Sequence, residues 1–149
     1  MSTAIIYYSQ HHENTKKLID AIKEAHPDIK LIDIVRTKVE ELQTYDTIGI
    51  ASGIYFGRFN KDLTEYVRNR LPHAIRTFGI YTCGNGSDKY TKEVREIAES
   101  KGCKWLGEYG RYGFDTFGPF KLVGGIQKGH PTDREIRGAV EFYEGLMLE

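Results

Sequence analysis

Long apolar runs, net charge and cysteine are all scarce in this sequence. No stretch approaches the ~20 consecutive apolar residues that a membrane-spanning helix needs. Met1-Ser2-Thr3 leads directly into a short apolar run with no basic segment before it, so neither a spanning helix nor a cleaved leader is expected, and a cytoplasmic location is the economical reading. The 21 basic and 21 acidic side chains cancel, which leaves no global field for nucleic acid or an anionic membrane. Partner choice must then rest on local patches. The two cysteines, Cys83 and Cys103, fit neither a metal-ligand spacing nor the framework of a secreted disulfide scaffold.

What is present is an ordinary composition and a regular alternation. A chain of 149 residues is one domain's worth, long enough to bury about 70% of the surface its unfolded form exposes. Its 40% hydrophobic and 28% charged content exclude a disordered chain. Ala4 to Tyr8 is an apolar run, after which Leu18, Ile19, Ile22 and Ala25 repeat at helical spacing until Pro27. Lys30 to Val35 is a second run, followed by a brief helical pattern through Val39 and Leu42. Thr47 to Ala51 is a third, with a helix expected over Asn60 to Arg70. Phe78 to Thr82 is a fourth, with a helix carrying Tyr90, Val94, Ile97 and Ala98 that Gly102 ends. Cys103 to Leu106 opens a fifth. Thr132 and Glu135 then form the Thr-x-x-Glu pattern of a capping box ahead of Ile136, Ala139, Val140, Tyr143 and Met147.

Five apolar strands alternating with five helical segments predict a single doubly wound α/β domain, residues 1–149, with a parallel sheet covered on both faces. Ligands of such sheets bind outside the carboxyl ends of the strands. Three segments lie there: Ser9 to Thr15, Ser52 to Phe59, and Cys83 to Ser87. Tyr109 to Pro131 is a fourth candidate, with Tyr112, Phe114, Phe117 and Phe120 among six glycines and no clear periodicity; a stretch of that length inside a compact domain usually serves a function.

The first segment, "SQHHENT", precedes a helix whose unpaired N–H groups and positive dipole end favour an anion such as phosphate. Asn14 and Thr15 add side-chain donors, and His11 and His12 add ring N–H groups. Glu13 would repel an anion if it faced inward and is expected to point outward. Read alone, the segment is equally consistent with a solvated polar turn. In "SGIYFGRF", Gly53 and Gly57 allow tight turning or close approach to a ligand. Ile54, Tyr55 and Phe56 offer apolar surface for a planar ring, or else fold down as core. "TCGNGS" supplies small residues and Asn85, in what is by itself an ordinary turn.

Together, "IIYYSQHHENT", "YDTIGIASGIYFGRF" and "FGIYTCGNGS" resemble the flavodoxin family in content, order and spacing over nearly the whole chain. The resemblance implies a three-layer sandwich with a five-stranded parallel sheet in order 2-1-3-4-5 and noncovalently held FMN. The phosphate would lie against Ser9, Gln10, His11, His12, Asn14 and Thr15. The flavin ring would sit between Ser52, Gly53, Ile54, Tyr55, Phe56 and Gly57 on one side and Cys83, Gly84, Asn85 and Gly86 on the other. It further implies an electron carrier serving reductase and acceptor proteins, a monomer or weak dimer, with neither nucleic acid nor membrane as partner. An NAD(P)H-dependent FMN or quinone reductase, or an oxidase, on the same fold is the alternative, and a relative that has lost its flavin is a third.

The chain departs from the family pattern at informative places. Gln10, His11, His12 and Glu13 stand where hydroxyl residues and a glycine are usual, so imidazole and amide donors would hold the phosphate, with affinity falling as pH rises. Phe56-Gly57 falls where an aromatic and a glycine often lie, the glycine's peptide being able to turn toward flavin N5. Arg58 replaces a common acidic residue, and Asp88 replaces a stacking aromatic for which Tyr90 is a possible substitute. A neutral chain with a guanidinium beside the ring predicts a less reducing fully reduced flavin than an acidic flavodoxin gives. The cysteines, one ending the fourth strand and one beginning the fifth, are expected at opposite ends of the sheet and beyond the ~7 Å limit for a bridge. His26, His73 and His130 read as surface residues.

Overall fold

A computed structural model describes residues 2–8, 14–36, 41–83, 89–112 and 131–148. Strands β1 (Thr3–Tyr8), β2 (Lys30–Asp33), β3 (Thr47–Tyr55), β5 (Arg76–Cys83) and β6 (Lys104–Tyr112) form a sheet in the order β2-β1-β3-β5-β6. Each neighbouring pair is parallel. With the two-residue β4 (Arg58–Phe59) set aside, this is the order 2-1-3-4-5 that the resemblance implies. Helices α1 (Asn14–Ala25), α2 (Lys61–Arg70), α3 (Lys92–Ser100) and α4 (Asp133–Met147) cover it.

Alternation along the strands divides the core in two. Ala4, Ile6, Ile48, Ile50 and Tyr81 face Leu63 and Val67 of α2 and Val94 and Ala98 of α3. Ile5, Tyr7, Ala51, Phe78 and Ile80 face Leu18, Ile19 and Ile22 of α1 and Ala139, Tyr143 and Leu146 of α4. Successive strand side chains point to opposite faces, so a run apolar at every position is what a doubly covered sheet requires. Most of these side chains are fully buried, each worth about 1.5–3 kcal/mol of transfer free energy for a large aliphatic or Phe.

The helix ends follow local chemistry. Asn60 caps α2, its side chain accepting from the Leu63 N–H at 3.0 Å. Thr132 and Glu135 form the reciprocal capping box at α4, with Glu135 N to Thr132 Oγ1 at 3.2 Å and Thr132 N to Glu135 Oε1 at 2.9 Å. Gly102, just beyond α3, has φ +76°, the left-handed conformation that ends helices.

Three expectations require correction. Among the described residues there are four α-helices where five helical segments were expected: the described part of the brief pattern through Val39 and Leu42 is a 3-10 turn, Leu42–Thr44, and Val39 lies outside the described residues. Strand β3 runs four residues past Ala51 and pairs back on β4. The fifth strand begins at Lys104 and continues to Tyr112, so the first four residues of the expected Tyr109–Pro131 loop belong to the sheet; residues 113–130, with Phe114, Phe117, Phe120 and His130, lie outside the described residues. Periodicity missed this extension because β6 carries a bulge. Thr77 pairs with Trp105 but Gly79 with Glu108, an extra residue inserted where Gly107 has φ +149°. The bulge places Trp105 and Glu108, three apart, on one face, where Trp105 Nε1 donates to Glu108 Oε1 at 3.2 Å.

The cysteines are separated as expected. Arg76 pairs with Lys104 and Cys83 with Tyr112, so Cys83 and Cys103 flank opposite ends of the β5–β6 pair. Cys103 is a buried free thiol that donates to the Pro72 carbonyl at 3.2 Å.

Candidate functional site

The carboxyl ends of β1, β3 and β5 lie side by side, with Tyr8 opposite Ser52 and Gly53 opposite Thr82. This edge brings together the described parts of all three predicted segments: Asn14 and Thr15, Ser52 to Gly57, and the backbone of Cys83. Ser9, Gln10, His11, His12, Gly84, Asn85 and Gly86 lie outside the described residues, as do Glu13 and Asp88.

Helix α1 begins at this edge with Asn14 and Thr15, both buried. Its first turn contains no acidic residue and continues with Lys16 and Lys17, so side chains and dipole have the same sign there. Lys16 Nζ lies 5.6 Å from the centre of the Tyr7 ring and 2.6 Å from Asp20 Oδ1 one turn on. Burial pushes the Tyr7 phenol above its ordinary pKa, so it remains neutral at ordinary pH. Thr15 reaches inward: its Oγ1 is 2.7 Å from Thr82 Oγ1 on β5, both residues being buried.

The second segment is a hairpin. Ile54 pairs with Phe59 and Tyr55 with Arg58, leaving Phe56 and Gly57 as the two turn residues. Both have positive φ, +53° and +78°, as a two-residue turn of the I′ type requires. Gly57 takes this conformation without strain, whereas Phe56 is an aromatic in the left-handed region. Phe56 is also 90% exposed. Tyr55 meets Tyr8 edge-on, ring centres 6.3 Å apart, and its ring lies in ordinary contact with the space a side chain at Gly53 would occupy.

The remaining residues of this segment serve the fold. The Ser52 hydroxyl donates to the Gly53 carbonyl at 2.5 Å and accepts from Asn60 N at 3.0 Å, fixing the hairpin to the start of α2. Ile54 packs on the core beneath α2 and α3. The apolar surface expected from Ile54, Tyr55 and Phe56 therefore reduces to Tyr55 and Phe56. Tyr90 packs edge-on against Tyr81 at 5.5 Å, within the core on that same face.

Arg58 also departs from expectation. Its Nη2 is 2.8 Å from Glu93 Oε1 on α3, so its charge is balanced locally. Two residues that sequence reasoning missed thus shape this edge, Thr82 and Glu93. Thr82 carried a usable signal: it continues the Phe78, Ile80 alternation with a hydroxyl in an apolar run. Glu93 carried none, since its pairing depends on how α3 packs beside the hairpin.

The donor set suits a phosphate at α1 and a flat ring at the hairpin. The family model of the flavodoxin domain matches residues 5–110. The chain belongs to the flavodoxin family. An uncharacterized protein of Methanocaldococcus jannaschii is 37% identical over 150 residues, spanning 99% of each chain. Oxidised flavodoxin 2 of Bacillus cereus matches with a TM-score of 0.71 at 14% identity over 99% of both chains. A flavoprotein of Lactobacillus acidophilus in complex with FMN matches with a TM-score of 0.56 at 18% identity, over 74% of this chain and 92% of that one. At these identities the solved structures bear on the fold alone, an α/β flavodoxin-like sandwich. Among the described residues no helix is long and apolar enough to cross a membrane, and no cluster of His, Cys, Asp or Glu is placed to hold a metal ion.

Proposed function

We propose that this flavodoxin-family chain binds FMN at the carboxyl edge of its sheet and carries electrons between a reductase and an acceptor protein. The observation that carries the reading is the juxtaposition of a helix start with no acidic residue in its described first turn, where Asn14 and Thr15 come first, and a hairpin whose turn residues, Phe56 and Gly57, both have positive φ. The first suits a dianionic phosphate. The second presents an exposed aromatic beside a glycine that tolerates either sign of φ.

When bound, the flavin supplies the one- and two-electron chemistry, and the protein supplies binding, orientation and access. The first-turn N–H groups and the Thr15 hydroxyl would hold the phosphate, and His11 and His12 are proposed as further donors. Tyr55 and Phe56 would flank the ring on the hairpin side, and Gly84, Asn85 and Gly86 are proposed to supply backbone and amide contacts on the other.

The absorption spectrum of the purified protein, with an FMN titration of any unloaded fraction, tests this directly. A flavin spectrum and saturable FMN binding are expected; a colourless protein that fails to take up added FMN would overturn the reading. Electron transfer only when a separate reductase is supplied identifies a carrier. Steady-state NAD(P)H oxidation by the protein alone would assign it instead to the reductases of this fold.

A further inference from the structure

Thr82 lies outside the three loops, near the carboxyl end of β5, and touches two of them. It is the register partner of Gly53 at the hairpin's base, and its hydroxyl meets that of Thr15 at the start of α1, 67 residues earlier in the chain. Both threonines are buried, Thr15 completely. Thr82 shares its face with Phe78 and Ile80, which meet α1 and α4 in the apolar core, so a hydroxyl here would lose its hydration without a partner. A valine would fill the same space with no such demand.

Two hydroxyls at 2.7 Å share one hydrogen bond, and either can donate. The direction matters for what Thr15 has left. If Thr15 donates to Thr82, its proton is engaged inward and its oxygen offers only lone pairs outward. If Thr82 donates to Thr15, the Thr15 proton is available to an acceptor outside. A phosphate dianion only accepts, so its presence favours the second arrangement, and a hydroxyl that already accepts a hydrogen bond is the better donor.

We propose that Thr82 is a positioning residue for phosphate recognition: by donating to Thr15 Oγ1 it fixes that side chain's rotamer and turns its proton toward the anion at the start of α1. The inference rests on the FMN reading above. It assigns a residue of the ring-binding side of the edge to recognition of the phosphate end, and it accounts for a hydroxyl in an otherwise apolar strand.

The test compares FMN with riboflavin, which has the ring but no phosphate, by flavin fluorescence quenching on the full-length apoprotein. Thr82→Val removes the donor and keeps the volume. It should weaken FMN about tenfold, as expected when the Thr15 hydrogen bond to the phosphate is no longer held in place, and leave riboflavin affinity unchanged. Thr82→Ser should restore the wild-type ratio. Thr15→Val should weaken FMN similarly, and the double Thr15→Val, Thr82→Val variant no further, since the two act as one unit. A merely structural Thr82 would weaken both flavins alike, and an unchanged FMN-to-riboflavin ratio in Thr82→Val, or in Thr82→Ala should the valine variant not fold, overturns the proposal. A wild-type protein that binds neither flavin overturns the FMN reading and the proposal with it, whereas wild-type binding with an insensitive ratio overturns the proposal alone.

Discussion

The Nη2 of Arg58 lies 2.8 Å from Oε1 and 3.0 Å from Oε2 of Glu93, joining the hairpin at the sheet edge to the first turn of α3. Arg68 adds a longer contact to the same carboxylate, at 3.8 Å. A guanidinium beside a flavin would favour the extra negative charge of the reduced ring, but one held against a carboxylate projects little net field. Arg58 alone therefore gives no reason for the bound flavin to be less reducing, and the overall neutrality of the chain is what remains of that expectation.

The pair yields a directional prediction. Glu93→Gln removes the balancing charge and leaves Arg58 positive, so the potential of the bound flavin should rise. With both groups partly exposed and screened by salt, the shift should be on the order of tens of millivolts at low ionic strength. Arg58→Ala exposes Glu93 and should lower the potential by a similar amount. Potentiometric titration of the three proteins checks both signs; equal potentials would show that the pair lies too far from the ring to matter.

Phe56 couples strain to exposure. An aromatic residue in the left-handed region costs roughly 1–2 kcal/mol relative to an ordinary conformation, and at 90% exposure its ring recovers little by burial. Asn-Gly is the preferred pair for this turn. Phe56→Asn should therefore stabilise the flavin-free protein by about 0.5–1 kcal/mol in urea denaturation while weakening FMN binding, the trade expected of a strained residue kept for a ligand. A variant that gained stability and kept full FMN affinity would remove Phe56 from the site.

The parallel sheet and its order were legible because strands covered on both faces read as uninterrupted apolar runs, as at Ala4 to Tyr8 and Phe78 to Thr82. The capping box at Thr132 was legible because both of its hydrogen bonds lie within four residues. The end of β3 was not, since Ile54 to Phe59 read as a loop from composition and become a hairpin only through the positive φ of Phe56. The reach of β6 was hidden by the bulge at Gly107, which breaks the alternation. At the site, the residues local to each loop were identifiable, whereas the contacts of Thr15 with Thr82 and of Arg58 with Glu93 span 67 and 35 residues and exist only once the sheet and α3 have packed.

Gly49 and Phe78 illustrate how closely the sheet is packed beneath the site. They are register partners on β3 and β5, and a Cβ at Gly49 would lie 2.4 Å from Phe78 Cζ. Phe78 is fully buried and bounded by Phe142 and Tyr143 at ring-centre distances of 6.2 and 5.9 Å, so it has little room to retreat. Gly49→Ala should destabilise the protein by about 1–3 kcal/mol through overpacking. Pairing it with Phe78→Leu should recover part of that loss, as measured by the denaturation midpoint at constant m-value.

Tyr143 gives the fold a dependence on alkaline pH. Its hydroxyl donates to Thr3 Oγ1 at 3.0 Å, tying α4 to the first residue of β1. Burial raises the phenol above its ordinary value of 10.0, against the opposing effect of the Thr3 hydrogen bond. The unfolded chain then loses this proton at lower pH than the native protein. Stability from this residue is complete below pH 10 and declines as pH rises from there through the folded-state pKa. Tyr143→Phe should lose about 1 kcal/mol at neutral pH with the hydrogen bond, yet fall less steeply above pH 10. Tyr7, whose pKa burial also raises, should preserve part of the slope. Urea denaturation from pH 7 to 11 separates the two effects, and parallel curves for wild type and Tyr143→Phe would show that this phenol ionises alike in both states.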